Sequence, residues 1–268
     1  MADLRLAASR LAGEPHRGDL LVVGPSLGTS VTALWSDCAR ALGDSLEVVG
    51  WDLPGHGSSV SASTPFSVAD LARSVASVAR GLLREDQVVR RCWYAGVSLG
   101  GAVGLDLSLS EGPFEAVVVI SAAAIIGEPS AWHERAGLVR RSGTPAMVEG
   151  SAKRWFAPGF IDRKPRSAAS LLGSLWSADA ESYAKACEAL AAYDLQARLG
   201  AAHVPVLFLP GAHDRVVTVE EATRTADAVP GAKVHVLDNC GHLGCAEDPA
   251  AVAEILTDFF THDTDGTR

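Results

Sequence analysis

Residues 96–101 read Gly96-Val97-Ser98-Leu99-Gly100-Gly101, a G-x-S-x-G followed by a second glycine. The apolar run at 92–97 predicts a buried strand, and the pattern over 100–109 predicts a helix. Between a strand and a helix, this motif marks a turn too tight for side chains at its flanking positions. The bend lifts the serine hydroxyl clear of the sheet, and the following helix aims the positive end of its dipole at charge developing there. Standing alone the motif is also an ordinary turn. The strand and helix around it are what give Ser98 a chemical reading.

On either side of this turn the chain alternates. Residues 20–23, 46–51 and 116–121 are short apolar runs of the kind expected in a parallel sheet covered on both faces. Val31, Leu34, Trp35, Cys38 and Leu42 fall at helical spacing, as do Val68, Leu71, Val75, Val78 and Leu82. From about Ile126 to Leu199 the periodicity is helical, with no convincing strand. Strands resume at 204–209 and 233–237, with helices over 220–229 and 249–260. Strands alternating with helices predict an α/β fold with a mostly parallel sheet. The reading counts eight strands flanked by helices, with a helical cap at 126–199 inserted after the sixth. The core then comprises 1–125 and 200–268. A cap placed there lies over the carboxyl edge of the sheet, where ligands bind in open α/β folds.

A chain of 268 residues, 48% apolar and 21% charged, can bury a sizeable core without disulfides or metals. Its net charge of −9 argues against nucleic-acid binding, which needs a basic face. No apolar run approaches the ~20 residues of a membrane span. The first 19 residues, broken by Asp3, Arg5 and Arg10, lack the apolar segment of an export signal, so the expected location is cytoplasmic. Cys38, Cys92, Cys187, Cys240 and Cys245 are odd in number and scattered, which predicts free thiols and no structural zinc. Nothing in the chain indicates its oligomeric state.

A serine hydroxyl is a weak nucleophile until a base takes its proton. The expected chain order is serine, acid, histidine. Gly211-Ala212-His213-Asp214-Arg215 and Asn239-Cys240-Gly241-His242 both follow predicted strands, on the same sheet edge as Ser98. His242 is the candidate base and Asp214 the acid that orients it. Asp238 and Glu247 are alternative acids, close in sequence to His242. His213 and His56 read as structural. The candidate oxyanion donors are the backbone N–H groups of Leu99, after the serine, and of Leu27, in the loop after residues 20–23. That loop lacks the lysine of a phosphate-binding motif.

Between residues 126 and 166 eight basic side chains face four acidic ones, in a chain that is acidic overall. Most of these read as solvated helix faces. One or two inward-facing arginines would grip a carboxylate through paired hydrogen bonds, which suits a small anionic substrate. Trp132, Trp155, Phe156 and Trp176 are candidate pocket walls or core.

GVSLGG at 96–101, DLPGHGSS at 52–59, PGAHD at 210–214 and CGHLGCAEDP at 240–249 together resemble the α/β-hydrolase superfamily in order and spacing. Within it, PSLGTS at 25–30, the cap stretch 131–160 and residues 181–199 resemble the 3-oxoadipate enol-lactonases of aromatic-compound degradation. The resemblance implies a serine hydrolase, needing no cofactor or metal, that opens a five-membered enol-lactone carrying a carboxymethyl arm. Under that reading Arg135 and Arg154 bind the substrate carboxylate and Trp155 forms a pocket wall. A carboxylesterase or C–C bond hydrolase on the same machinery, or a non-catalytic ligand receptor on the same fold, are the competing readings.

Overall fold

The computed structural model describes residues 4–43, 46–84 and 89–262; Asp3 and the outermost residues of the predicted core lie outside them. A seven-stranded sheet runs in the order β1-β3-β2-β4-β5-β6-β7. Its strands are β1 (Ala8–Ala12), β2 (Asp19–Gly24), β3 (Leu46–Trp51), β4 (Cys92–Val97), β5 (Ala116–Ile120), β6 (Val206–Leu209) and β7 (Lys233–Val234). Only β1 is antiparallel, pairing with β3, and β2 through β7 form parallel pairs. The central strands β2, β4 and β5 carry continuous apolar runs because both their faces are covered.

Two expectations are corrected. Among the described residues the sheet has seven strands rather than eight, and the helical insertion follows the fifth strand rather than the sixth. Four of the six strands counted ahead of the insertion are seen as β2 to β5, and before them stands one antiparallel strand, β1, rather than two, so every later strand moves down by one. The stretch at 233–237 pairs as a strand over two residues only, with one further bridge from Leu237 to Gly211.

Helices α1 (Val31–Leu42), α2 (Val68–Arg84), α3 (Leu99–Ser108), α9 (Val219–Asp227), α10 (Gly244–Glu247) and α11 (Pro249–His262) belong to the sheet region. Helix α1 buries Val31, Leu34, Trp35, Cys38 and Leu42, the stripe its spacing predicts. Its N-terminus is capped twice: Ser30 Oγ accepts from the Ala33 N–H, and the buried Asp52 carboxylate at the end of β3 accepts from the Val31 N–H at 2.7 Å. Helix α11 packs against α1, and its Phe260 stacks on Trp93 of β4 at 4.8 Å between ring centroids. Burying rings of this size contributes about 1.5–3 kcal/mol each.

Between β5 and β6 lie α4 (Pro129–Ser142), α5 (Val148–Trp155), α6 (Phe160–Arg163), α7 (Pro165–Ser177) and α8 (Ala180–Ala191), with short 3-10 turns at Thr144–Met147 and Gln196–Ala201. No strand interrupts them among the described residues. All five cysteines are free and buried. No helix among the described residues is long and apolar enough to cross a membrane.

Candidate active site

The turn between β4 and α3 holds Ser98 at φ 56°, ψ −114°, a left-handed backbone that costs a residue with a Cβ about 1–3 kcal/mol. The neighbouring glycines explain how the turn closes. A Cβ on Gly96 would run into the Gly100 carbonyl, and one on Gly100 would lie 2.7 Å from the Gly24 and Pro25 carbonyls. From below, the buried Tyr94 hydroxyl donates to the Gly100 carbonyl at 2.8 Å. Serine is a favoured helix N-cap, yet the Ser98 side chain makes no capping bond to α3. The hydroxyl is therefore not used to finish the helix.

Asp214 follows β6 and His242 follows β7. His242 Nδ1 lies 2.8 Å from Asp214 Oδ2 and 3.0 Å from Oδ1. The same carboxylate accepts from the Val216 and Val217 N–H groups, which fixes its orientation. Both residues are buried. Of the alternative acids, Asp238 is exposed, and Glu247 is taken up by backbone N–H groups rather than by the imidazole. His213 is exposed, and its N–H joins the Cys240 carbonyl at 2.9 Å, tying the two loops together. His56 is buried against Tyr183, its ring nitrogen 2.9 Å from the Pro54 carbonyl. Burial holds the His56 pKa below its ordinary value.

Ser98 and His242 line one cavity of 180 Å³, and with them Ser26, Leu27, Trp132, Trp155, three arginines, Arg135, Arg154 and Arg215, and one carboxylate, Glu128. Leu27 and Leu99 are buried beside Ser98. Leu99 is the first residue of α3, so its N–H has no carbonyl partner within the helix. The loop of Leu27 is clamped by Thr29, whose side chain accepts from the Ser26 N–H and donates to the Ser26 carbonyl.

Arg135, Arg154 and Trp155, the substrate-binding residues that the resemblance implies, therefore line the same space as Ser98. The Arg135 guanidinium sits 4.7 Å above the Trp132 ring and against the Tyr183 hydroxyl. Arg154 is partly buried; that burial, and then the charge of Arg135, hold its pKa below the ordinary guanidinium range. Neither arginine forms an ion pair with a carboxylate among the described residues. The other basic groups divide differently. Arg140 is bound to Glu181 and Glu188, and Lys153 to Glu149. Trp176 is 61% exposed and does not line the cavity, while Phe156 stacks on Phe160 at 4.9 Å. Arg215 was not anticipated as a lining residue. Its place directly after Asp214 on the sheet edge was the available signal.

This geometry can be set beside known proteins. Residues 8–255 match the model of the alpha/beta hydrolase family. The chain belongs to that family. It is 33% identical over 232 residues to 3-oxoadipate enol-lactonase 2 of Acinetobacter baylyi, covering 86% of this chain and 84% of that protein. It is also 26% identical over 257 residues to a putative carbamate hydrolase RutD of Pseudomonas savastanoi pv. phaseolicola, covering 91% and 95%. Among solved structures, the enol-lactonase from Burkholderia xenovorans LB400 superposes with a TM-score of 0.87 at 29% identity, over 97% of this chain and 98% of that one. The family and its enol-lactonase relatives support hydrolase activity.

Proposed function

We propose that this alpha/beta hydrolase opens an anionic enol-lactone, 3-oxoadipate enol-lactone, to 3-oxoadipate, using Ser98, His242 and Asp214 as its catalytic triad. The observation that carries the substrate class is the placement of Arg135 and Arg154, without carboxylate partners among the described residues, in the cavity that Ser98 and His242 line. The enol-lactonase relatives support the same class. In this reading residues 126–199 form a cap over a core of 1–125 and 200–268.

The chemistry follows from the positions. His242 takes the proton of Ser98 as its oxygen attacks the lactone carbonyl, while Asp214 stabilises the imidazolium. The N–H groups of Leu27 and Leu99 receive the developing oxyanion. Collapse breaks the ring C–O bond. The leaving enolate stays tethered to the acyl group, takes a proton from His242 and ketonises. Water, deprotonated by His242, then releases the acid and restores Ser98. The guanidinium pair holds the carboxymethyl arm through charge-assisted hydrogen bonds, and Trp155 forms the wall beside it. No cofactor enters these steps, and aromatic-compound catabolism is the setting such a substrate implies.

The test is ultraviolet loss of the enol-lactone, with a neutral p-nitrophenyl ester assayed in parallel. The proposal expects kcat/KM for the lactone to exceed that for the ester by about 10–100-fold or more, the worth of the charge-assisted contacts at ~1.5–3 kcal/mol. Turnover of the ester alone would leave the triad and remove the substrate.

A further inference from the structure

Glu247, passed over as an acid for His242, has a carboxylate occupied on both oxygens. It is 9% exposed. Oε1 accepts from the N–H groups of Gly241 at 3.0 Å and Leu243 at 3.2 Å, and Oε2 from the Ala157 N–H at 2.7 Å. Gly241 and Leu243 flank His242, and Ala157 lies two residues beyond the cavity wall Trp155. A fourth bond closes the group: the His242 N–H donates to the Trp155 carbonyl at 2.8 Å. The contact is tight, since a Cβ on Gly241 would lie 2.8 Å from both the Trp155 oxygen and the Ala157 nitrogen.

A carboxylate bound by three N–H groups is a strong and directional fixture. Burial pushes the Glu247 carboxyl up, while those N–H groups and the nearby His242 act in the other direction. Placing such a group in the interior has a cost, and the ends it joins are the histidine loop and the wall of the cavity.

We infer that Glu247 is a positioning residue that registers His242 against the Trp155 segment, so that the base and the pocket wall are held as one unit. The inference rests on His242 being the base proposed above. An amide at this position keeps one acceptor oxygen. It therefore serves either the Gly241–Leu243 side or Ala157, and turns an N–H toward donors on the other side. A misplacement of about 1 Å near the reacting atoms is enough to cost on the order of 100-fold.

The test is a double-mutant cycle on the full chain, well below its unfolding midpoint. It uses Glu247→Gln, His242→Ala and the double variant, with kcat and KM read on the lactone and the neutral ester. The expected result is a kcat about 10–100-fold lower in E247Q for both substrates, with KM within a few-fold, and no further loss when E247Q is added to H242A. Glu247→Asp keeps the charge but cannot span both sides; it is expected to show the same split and stands in if E247Q does not fold. Normal kcat in E247Q or E247D, with H242A inactive, overturns the inference. So does an equal loss from E247Q in the presence and absence of His242. Full activity of H242A overturns instead the catalytic reading on which the inference is built.

Discussion

Two groups of arginines sit at opposite ends of the sheet, and they are treated differently. At the amino end, Glu47 of β3 is 1% exposed and is gripped by Arg10 at 2.7 Å and Arg90 at 2.7 Å. Its second oxygen also accepts from the His16 N–H at 3.1 Å. At the carboxyl edge, Arg135 and Arg154 share a cavity with Ser98 and His242 and have no carboxylate partner among the described residues. Taking a guanidinium out of water is costly, and a paired carboxylate offsets that cost. Where the chain supplies the carboxylate, the arginines tie β1 and the segment before β4 to β3. Where it does not, the proposed function has the cations receive the carboxylate of the substrate.

The largest expected effect separates the chemistry from the charge. Ser98→Ala should lower kcat on the lactone by about 10^4–10^6-fold, as triad residues act as a unit. Binding of a carboxylate product analogue should stay within a few-fold, since both arginines remain. Titration calorimetry beside the rate assay checks this. Retained turnover would remove Ser98 as the nucleophile.

The next effect belongs to the amino end. Glu47→Gln removes the buried carboxylate that Arg10 and Arg90 both grip and should cost about 3–5 kcal/mol in urea denaturation, with KM for the lactone unchanged. Burial opposes charge on Glu47, but Arg10, Arg90 and the His16 N–H together hold its carboxyl below the ordinary 4.5. An acid whose pKa is lowered on folding contributes its full stability above the unfolded value and loses it as pH falls through the lowered one. The gap between wild type and E47Q should therefore be constant above about pH 4.5 and narrow below it. A gap that widens in acid would contradict the sign of this ion pair.

Much of this was readable in the chain. The central strands announced themselves as continuous apolar runs, and Ser98, Asp214 and His242 stand just past strand ends, so the topology brings them to one edge. The strand count was less readable. Strand β1 is a half-buried edge spelled Ala-Ser-Arg-Leu-Ala, too short and too polar to show as a run. The apolar alternation at 233–237 suggested more pairing than the two exposed residues of β7 provide. Within the insertion, helical spacing could not separate Trp132, which faces the cavity, from Trp176, which faces water. Arg140 and Arg135 look alike in sequence. Only the fold shows that one meets Glu181 and Glu188 while the other meets none. The role of Glu247 was hidden for the same reason, because its partner Ala157 is 90 residues away.

The smallest expected effect is also the sharpest test of the comparison. In the double variant Arg135→Ala/Arg154→Ala, kcat/KM should be measured for the enol-lactone and for the neutral ester under the same conditions. Losing the charge-assisted contacts, at about 1.5–3 kcal/mol, should lower the lactone value 10–100-fold, mainly through KM. The ester value should stay within about twofold, and urea stability should not fall as it does in E47Q. Equal losses on both substrates would contradict the account, because the two guanidinium groups would then be shaping the cavity rather than receiving a carboxylate.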